Sequence, residues 1–312
     1  MNACVSIVWG SMQRRSFIQL VLPAAILPAP ALWAQDEKPL RFGVIADPQY
    51  ADKAARGSRH YRASIPKLQA AVDELKRHPL DFVVTLGDLI DCDLESFEPV
   101  MQVYAGLSVP HYKVYGNHDW EMEDADKPRV PEAMQMPKPG YYAIDRGAWK
   151  FLFLDGTEIS TYRYGENDKR TAEAEALRQS LKKQGVRSAV SWNGAVSEQQ
   201  LGWLSAQLEA AEKSAQKVIV MNHFPIMPEH DGHNLWNAED LRELLAASQQ
   251  VVGYFNGHNH KGGYQEHAGT HFLNFKGMVE GAKGSAYAVV SCYPDRIEVE
   301  GFSTEADRQL QV

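Results

Sequence analysis

Five short apolar runs, spread through most of the chain, each end on a side chain able to ligate a metal ion. Leu40 to Ala46 ends on Asp47-Pro48-Gln49, Phe82 to Leu86 on Gly87-Asp88, and Tyr112 to Tyr115 on Gly116-Asn117-His118. Lys217 to Met221 ends on Asn222-His223, and Val251 to Phe255 runs through to Gly257-His258-Asn259-His260. Runs of this length, bounded by turn residues and alternating with helical patterns, read as buried strands. In α/β proteins the chemistry collects outside the C-terminal ends of such strands. An aspartate after a strand is by itself more often a turn former or a helix cap. Five strand ends of ligand type in one chain are not explained that way.

Between the strands the helical signals are regular. Ile65, Leu68, Val72 and Leu75 repeat at helical spacing, with Ser64 available as N-cap and His78-Pro79 as the stop. Ser197 and Gln200 form the sequence pattern of a capping box ahead of Leu201, Leu204 and Leu208, and Asn237 is placed to cap a further helix. Glu121 to Pro139 reads as a loop, followed by strands at Tyr141 to Asp145 and Trp149 to Asp155. Residues 156–196 read as a surface excursion with a helix from Ala172 to Lys183, of a length often used for lids and substrate walls. The C-terminal part is strand-rich at His271 to Phe275, Ala286 to Cys292 and Arg296 to Phe302.

Asp47, Gln49, Asp88, Asn117, His223, His258 and His260 make a mixed oxygen and nitrogen donor set suited to manganese, iron or zinc. Seven donors exceed one ion and fit two that share a carboxylate. The glycines before Asp88, Asn117 and His258 allow a sharp turn and close approach to a small charged ligand.

In order and spacing these motifs, D-x-Q, GD, GNH, NH and GHNH, resemble those of the calcineurin-like metallophosphoesterases. Within that superfamily the chain is similar to the manganese-dependent ADP-ribose/CDP-alcohol diphosphatases. The likeness extends to Phe42 through Tyr50, Trp192-Asn193-Gly194, Trp236-Asn237, Lys261-Gly262-Gly263-Tyr264 and Val279-Glu280-Gly281. The resemblance implies an α/β fold, a four-layer α/β/β/α sandwich. It implies one ion on Asp47, Gln49 and His260, a second on Asn117, His223 and His258, and Asp88 bridging. It also implies cleavage of the pyrophosphate of nucleoside diphosphate derivatives by attack of a metal-bridging hydroxide. His118 is then expected to assist as proton donor or phosphoryl contact, with Asp119 either orienting it or closing a turn. Most of the superfamily has histidine where this chain has Gln49; a neutral amide oxygen is the harder donor and favours manganese, with iron or zinc as alternatives. Tyr50, Trp236, His230 and His233 are candidates for substrate contact. His60, His78, His111, His267 and His271 fall in no metal motif.

Two other functions share this site: an exported phosphomonoesterase or phosphodiesterase that scavenges phosphate, and a scaffold that has lost the reaction. The complete donor set argues against the scaffold. The partner is a small phosphate ester or diphosphate.

Residues 1–34 read as an export leader. Gln13-Arg14-Arg15-Ser16-Phe17-Ile18 precedes an apolar, proline-containing segment and a small-residue region ending at Ala34. The expectation is a twin-arginine signal and a periplasmic mature chain at 35–312, folding as one domain without stable membrane insertion. The alternative is tethering by an uncleaved leader. Arg14 and Arg15 are the leader's only charges, so its removal takes the net charge from −8 to −10. Such a chain is a poor ligand for a nucleic-acid duplex. Beyond the leader only Cys92 and Cys292 remain; a single bridge between them is conceivable in an oxidising periplasm, but two distant cysteines make no disulfide framework and buried free thiols are expected.

Overall fold

Strand order explains why the polar tips meet. In a computed structural model that describes residues 38–312, β1 (Leu40–Ile45), β2 (Phe82–Thr85) and β3 (His111–Lys113) run parallel and adjacent. Their tips carry Asp47 and Gln49, Asp88, and Asn117 side by side. The antiparallel strands β10 (Ala286–Cys292), β11 (Arg296–Ser303) and β12 (Arg308–Gln311) extend this sheet beyond β1, giving the order β12-β11-β10-β1-β2-β3. The second sheet is built the same way. β5 (Trp149–Phe153), β6 (Lys217–Met221), β7 (Val251–Asn256) and β9 (Thr270–Asn274) are parallel neighbours. The antiparallel strands β4 (Tyr142–Arg146) and β8 (Gly263–His267) close its edges.

The two sheets face one another. Phe42, Val44, Phe82 and Val84 from the first pack against Phe151, Phe153, Ile219, Met221 and Phe255 from the second. Phe42 stacks on Phe82 at 4.8 Å and meets Phe151 edge-on at 5.3 Å. The outer face of the first sheet is covered by α1 (Ser64–Leu75) and α2 (Phe97–Tyr104), which bury Leu68, Val72, Leu75, Phe97 and Val100. The outer face of the second is covered by α5 (Glu198–Lys213) and α6 (Ala238–Ala246), through Leu204, Leu208, Leu241 and Leu245. Burial on both faces is why β2 and β6 read as apolar runs, Phe82 to Val84 and Val218 to Met221, rather than alternating ones. The result is the expected α/β/β/α layering. Among the described residues no helix is long and apolar enough to cross a membrane.

Several local expectations need correction. Ser64 is the first residue of α1 and not its cap: a 3-10 turn, Tyr61–Ala63, leads into the helix, and the buried Ser64 hydroxyl makes no hydrogen bond. The loop after Trp120 contains a 3-10 turn at Lys127–Arg129 and the short α3 (Val130–Ala133), whose Val130 is buried. The helix of the excursion, α4 (Lys169–Lys183), starts earlier than its apolar pattern, because Asp168 caps it by accepting from Arg170 N. Ser197 does cap α5 through Gln200 N, but Glu158 supplies the reciprocal acceptor for Ser197 N. The Gln200 side chain ties α5 to Asp155 and Glu158 instead. Asn237 stands at the N-cap of α6 without capping it; its amide pairs with both backbone groups of Val196. β8 and β12 carry mixed polar patterns and had no signal. Cys92 and Cys292 are free, Cys292 buried and Cys92 half-buried. The leader at residues 1–34 lies outside the described residues.

Candidate metal centre

The tips of the two sheets are stitched together by the ligand side chains themselves. His258 N donates to both carboxylate oxygens of Asp47, at 3.1 and 3.2 Å, joining the β7 tip to the β1 tip. His223 Nδ1 lies 2.8 Å from Leu86 O, joining β6 to β2. Gln49 N donates to Asp88 O at 2.9 Å, and His118 N to Asp88 Oδ1 at 2.9 Å. The backbone is bent to achieve this: Asp47, Gln49, Asp88 and His258 all have positive φ, between 44° and 68°. That conformation is costly for residues other than glycine, and its clustering at one place marks a functional constraint.

All seven predicted ligands are brought together. Asp88, His223 and His258 offer atoms within 4.8 Å of one another, and so do Asp47, Asp88 and His260. Asp88 is the member common to both groups. His223 Nε2 is 3.3 Å from Asn117 Oδ1 and 3.4 Å from Asp88 Oδ2, and Gln49 Nε2 is 2.8 Å from Asp88 Oδ2. Gln49 Oε1 is buried and accepts no hydrogen bond, an orphaned oxygen of the kind a cation satisfies. The glycines serve the ligands more than any bound anion. A Cβ on Gly116 would fall 2.1 Å from Asp88 Oδ1, and one on Gly257 2.5 Å from Asp47 Oδ2.

Each histidine is held from behind in a way that fixes its free nitrogen. His223 Nδ1 donates to Leu86 O, leaving Nε2 toward Asp88. His258 Nε2 stands 2.8 Å from Asn193 Oδ1, leaving Nδ1 facing His223 Nε2 at 3.1 Å. His260 Nδ1 is 2.6 Å from Glu280 Oε1, leaving Nε2 facing Asp47 Oδ1 at 3.5 Å. A ring that donates one N–H to such a partner presents the other nitrogen as a ligand lone pair. Without metal, burial disfavours the charged form of these rings. At His223 the charge and hydrogen bond of Asp88 outweigh it and raise the ring to about 9. At His260 the hydrogen bonds to Asp47 and Glu280 do the same, also to about 9. His258 is pushed well below the usual histidine range by burial and by the charge of His223. Burial would raise the Asp88 carboxyl, but the charges of His223 and His118 override it and hold it low.

His118 begins the 3-10 turn His118–Trp120. Its Nδ1 lies 3.2 Å from Asp91 O, 3.4 Å from Asp91 Oδ1 and 3.6 Å from Glu121 Oε1. Its Nε2 is 3.4 Å from Arg59 Nη1. Asp119 does not orient it. The Asp119 carboxylate accepts from the backbone N–H groups of Asp88, Leu89, Ile90 and Gly116, and so shapes the loop carrying Asp88.

The proposed substrate contacts fare unevenly. His233 lines the cavity beside His258, its ring 5.7 Å away. Trp236 is buried with Ala174 and Ala195, and its indole donates to Val190 O, so the ring belongs to the packing under the excursion. Tyr50 is half-buried, bridges to Ile90 and packs against the core over α1. His230 is exposed at positive φ. Asn193, Glu280, Asp91 and Arg59 were not read as site residues. Asn193 and Glu280 stood inside similar stretches but matched no ligand pattern, and Asp91 follows Asp88 by three residues without any type that singles it out. Arg59 had no signal.

The profile of the calcineurin-like phosphoesterase family matches residues 40–262. The manganese-dependent ADP-ribose/CDP-alcohol diphosphatase of Bos taurus is 32% identical, over 88% of this chain and 95% of its own. The human protein of the same name is 29% identical, over 89% and 94%. A dimetal phosphatase from Danio rerio shares the fold with a TM-score of 0.79 at 24% identity, over 88% of this chain and 99% of that one. The matched family segment takes in every candidate ligand from Asp47 to His260, and this chain, a metal-dependent phosphoester hydrolase, belongs to the calcineurin-like phosphoesterase family.

Proposed function

We propose that the protein hydrolyses the pyrophosphate of nucleoside diphosphate derivatives of the ADP-ribose and CDP-choline type, with manganese as its metal. The observation that carries this reading is the position of Asp88 in both ligand groups, taken with relatives named for that activity over nearly their whole length. Asp47, Gln49, Asp88 and His260 would hold one ion, and Asp88, Asn117, His223 and His258 the other. Two such ions polarise phosphoryl oxygens and lower the pKa of water. The amide oxygens of Gln49 and Asn117 favour manganese over zinc.

The protein's own contribution is placement. Asn193, Leu86 and Glu280 fix which nitrogen each histidine offers. Acceptors at Asp91 and Glu121 surround His118 Nδ1, so that Nε2 is the nitrogen that meets the substrate. Donation from Nε2 needs the doubly protonated ring, with Nδ1–H kept on Asp91 O; in that form His118 hydrogen-bonds a phosphoryl oxygen or protonates the leaving oxygen. A phosphate monoester is a good leaving group, so His118 matters less for a diphosphate than for an alkyl phosphodiester.

The test is turnover by the metal-stripped chain reloaded with manganese, zinc, iron or magnesium. Manganese-dependent release of AMP from ADP-ribose and of CMP from CDP-choline supports the reading. Preference for p-nitrophenyl phosphate or its bis ester replaces it with phosphate scavenging, the reading that the leader favours. Export through the twin-arginine route is part of the proposal and rests on Arg14 and Arg15. A reporter fused to residues 1–34 should leave the cytoplasm, and export that survives Lys at both positions would count against that route.

A further inference from the structure

The cavity at the strand tips, of about 690 Å³, is lined by His258 and His260 together with three basic side chains, Arg59, Lys261 and Lys276. Three cations at one opening are notable in a chain of net charge −8. Their commitments differ. Lys276 Nζ donates to Thr304 O. The carboxylate in the same cavity, Glu280, is engaged by His260 Nδ1 at 2.6 Å. Lys261 is exposed and forms no ion pair among the described residues.

Arg59 is the unusual member. Its backbone is fixed: Arg56 N donates to Arg59 O at 3.0 Å, Arg59 N to Arg56 O at 3.1 Å, and Arg59 bridges to Glu280. Lys67 Nζ in turn anchors the Glu280 segment by donating to Met278 O and Gly281 O. The half-buried Arg59, by contrast, forms no ion pair with a carboxylate among the described residues, although Glu280 in the same cavity feels its charge, and the one side-chain hydrogen-bonding approach to it there is that of Nη1 to His118 Nε2 at 3.4 Å. A planar fork of five donors, pinned at its base and left free at its tip beside a phosphoryl site, matches two oxygens of a phosphate.

The seven ligands account for the reacting phosphate. A diphosphate brings a second, non-reacting phosphate with its own negative charge, which a one-phosphorus ester lacks. We propose that Arg59, with Lys261 at the rim, is the subsite for that non-reacting phosphate and sets the preference for diphosphates over simple phosphate esters. This rests on the diphosphatase reading above.

The experiment is calorimetric binding of α,β-methylene-ADP and of AMP to the manganese-loaded wild type, Arg59→Ala, Arg59→Lys and Lys261→Ala, with metal content measured for each. The wild type should bind the diphosphate analogue at least about tenfold more tightly than AMP. Arg59→Ala should collapse that ratio to about threefold or less by weakening the analogue, with Arg59→Lys intermediate because it keeps the charge and loses the fork. Lys261→Ala should weaken the analogue by a smaller factor. An unchanged ratio in Arg59→Ala, a wild-type ratio near one, or equal weakening of both ligands overturns the subsite; the last would mean that Arg59 serves the reacting phosphate or His118. Turnover of ADP-ribose by the wild type reports separately on the diphosphatase reading, so an inactive enzyme that retains the binding ratio sinks that reading and leaves the subsite standing.

Discussion

His258 Nε2 lies 2.8 Å from the amide oxygen of Asn193, so a ligand at the tip of β7 takes its orientation from the excursion between β5 and α5. The Asn193 amide is itself fixed by donating to Ser188 O at 3.0 Å and Gly232 O at 2.8 Å. The excursion is thus a wall of the site, pinned also by the Arg163–Asp155 ion pair and the bridge between Ile159 and Ala195.

Replacing Asn193 by alanine removes the acceptor that keeps the proton on Nε2 and the lone pair on Nδ1. Manganese affinity at the His258 ion should fall by about 10- to 100-fold. Asn193→Asp, which keeps an acceptor, should retain most of it. Metal titration of the stripped variants distinguishes the two, and equal losses would mean that Asn193 matters only for the fold of the excursion.

His118→Ala and Asp119→Ala should separate cleanly. The first should bind two metals normally and lose about 10²-fold or more in kcat, with the larger loss on an alkyl phosphodiester than on a diphosphate. The second leaves four N–H groups without their acceptor, and should cost about 3 kcal/mol or more in stability along with metal binding. If Asp119→Ala retained its melting temperature and metals while losing only turnover, Asp119 would be acting through His118 after all.

Metal loading should depend on pH in a defined direction. In the metal-free protein His223 and His260 are raised from 6.5 to about 9, so both are charged at neutrality and must lose a proton to ligate. Apparent metal affinity should therefore climb with pH and level off near 9, with proton release on binding at neutral pH. Folded values above the unfolded ones stabilise the metal-free fold fully below 6.5, and that contribution is lost as pH rises through about 9. The melting temperature of the stripped protein should fall across that window while the loaded protein holds steady. A pH-independent affinity between about 6 and 9 would contradict the assignment of these rings.

How much of this was legible follows from what periodicity can carry. Strands buried on both faces, such as β2 and β6, announce themselves as apolar runs, and the residue that ends each one is visible by position. The convergence of the seven candidate ligands was readable for that reason. Asn193 and Glu280 were not, since a residue that binds the back of a histidine needs only an acceptor, and acceptors are everywhere in a sequence. Asp119 left two readings open because adjacency to His118 in sequence suggests contact; in the 3-10 turn its carboxylate points to the β2 loop, which is the turn-closing reading. Trp236 misled: an aromatic next to a motif is as easily packing, and its indole N–H already had Val190 O. β8 and β12 lie at sheet edges where half-exposed polar side chains erase the apolar pattern.

The most direct test of the account is the anomalous diffraction of manganese-loaded crystals measured at the manganese edge. Two peaks are predicted, one among Asp47, Gln49, Asp88 and His260 and the other among Asp88, Asn117, His223 and His258, with both lost or displaced in Asp88→Asn. A single peak, or two peaks in the wild type that Asp88→Asn leaves in place, would contradict a centre built on one shared carboxylate.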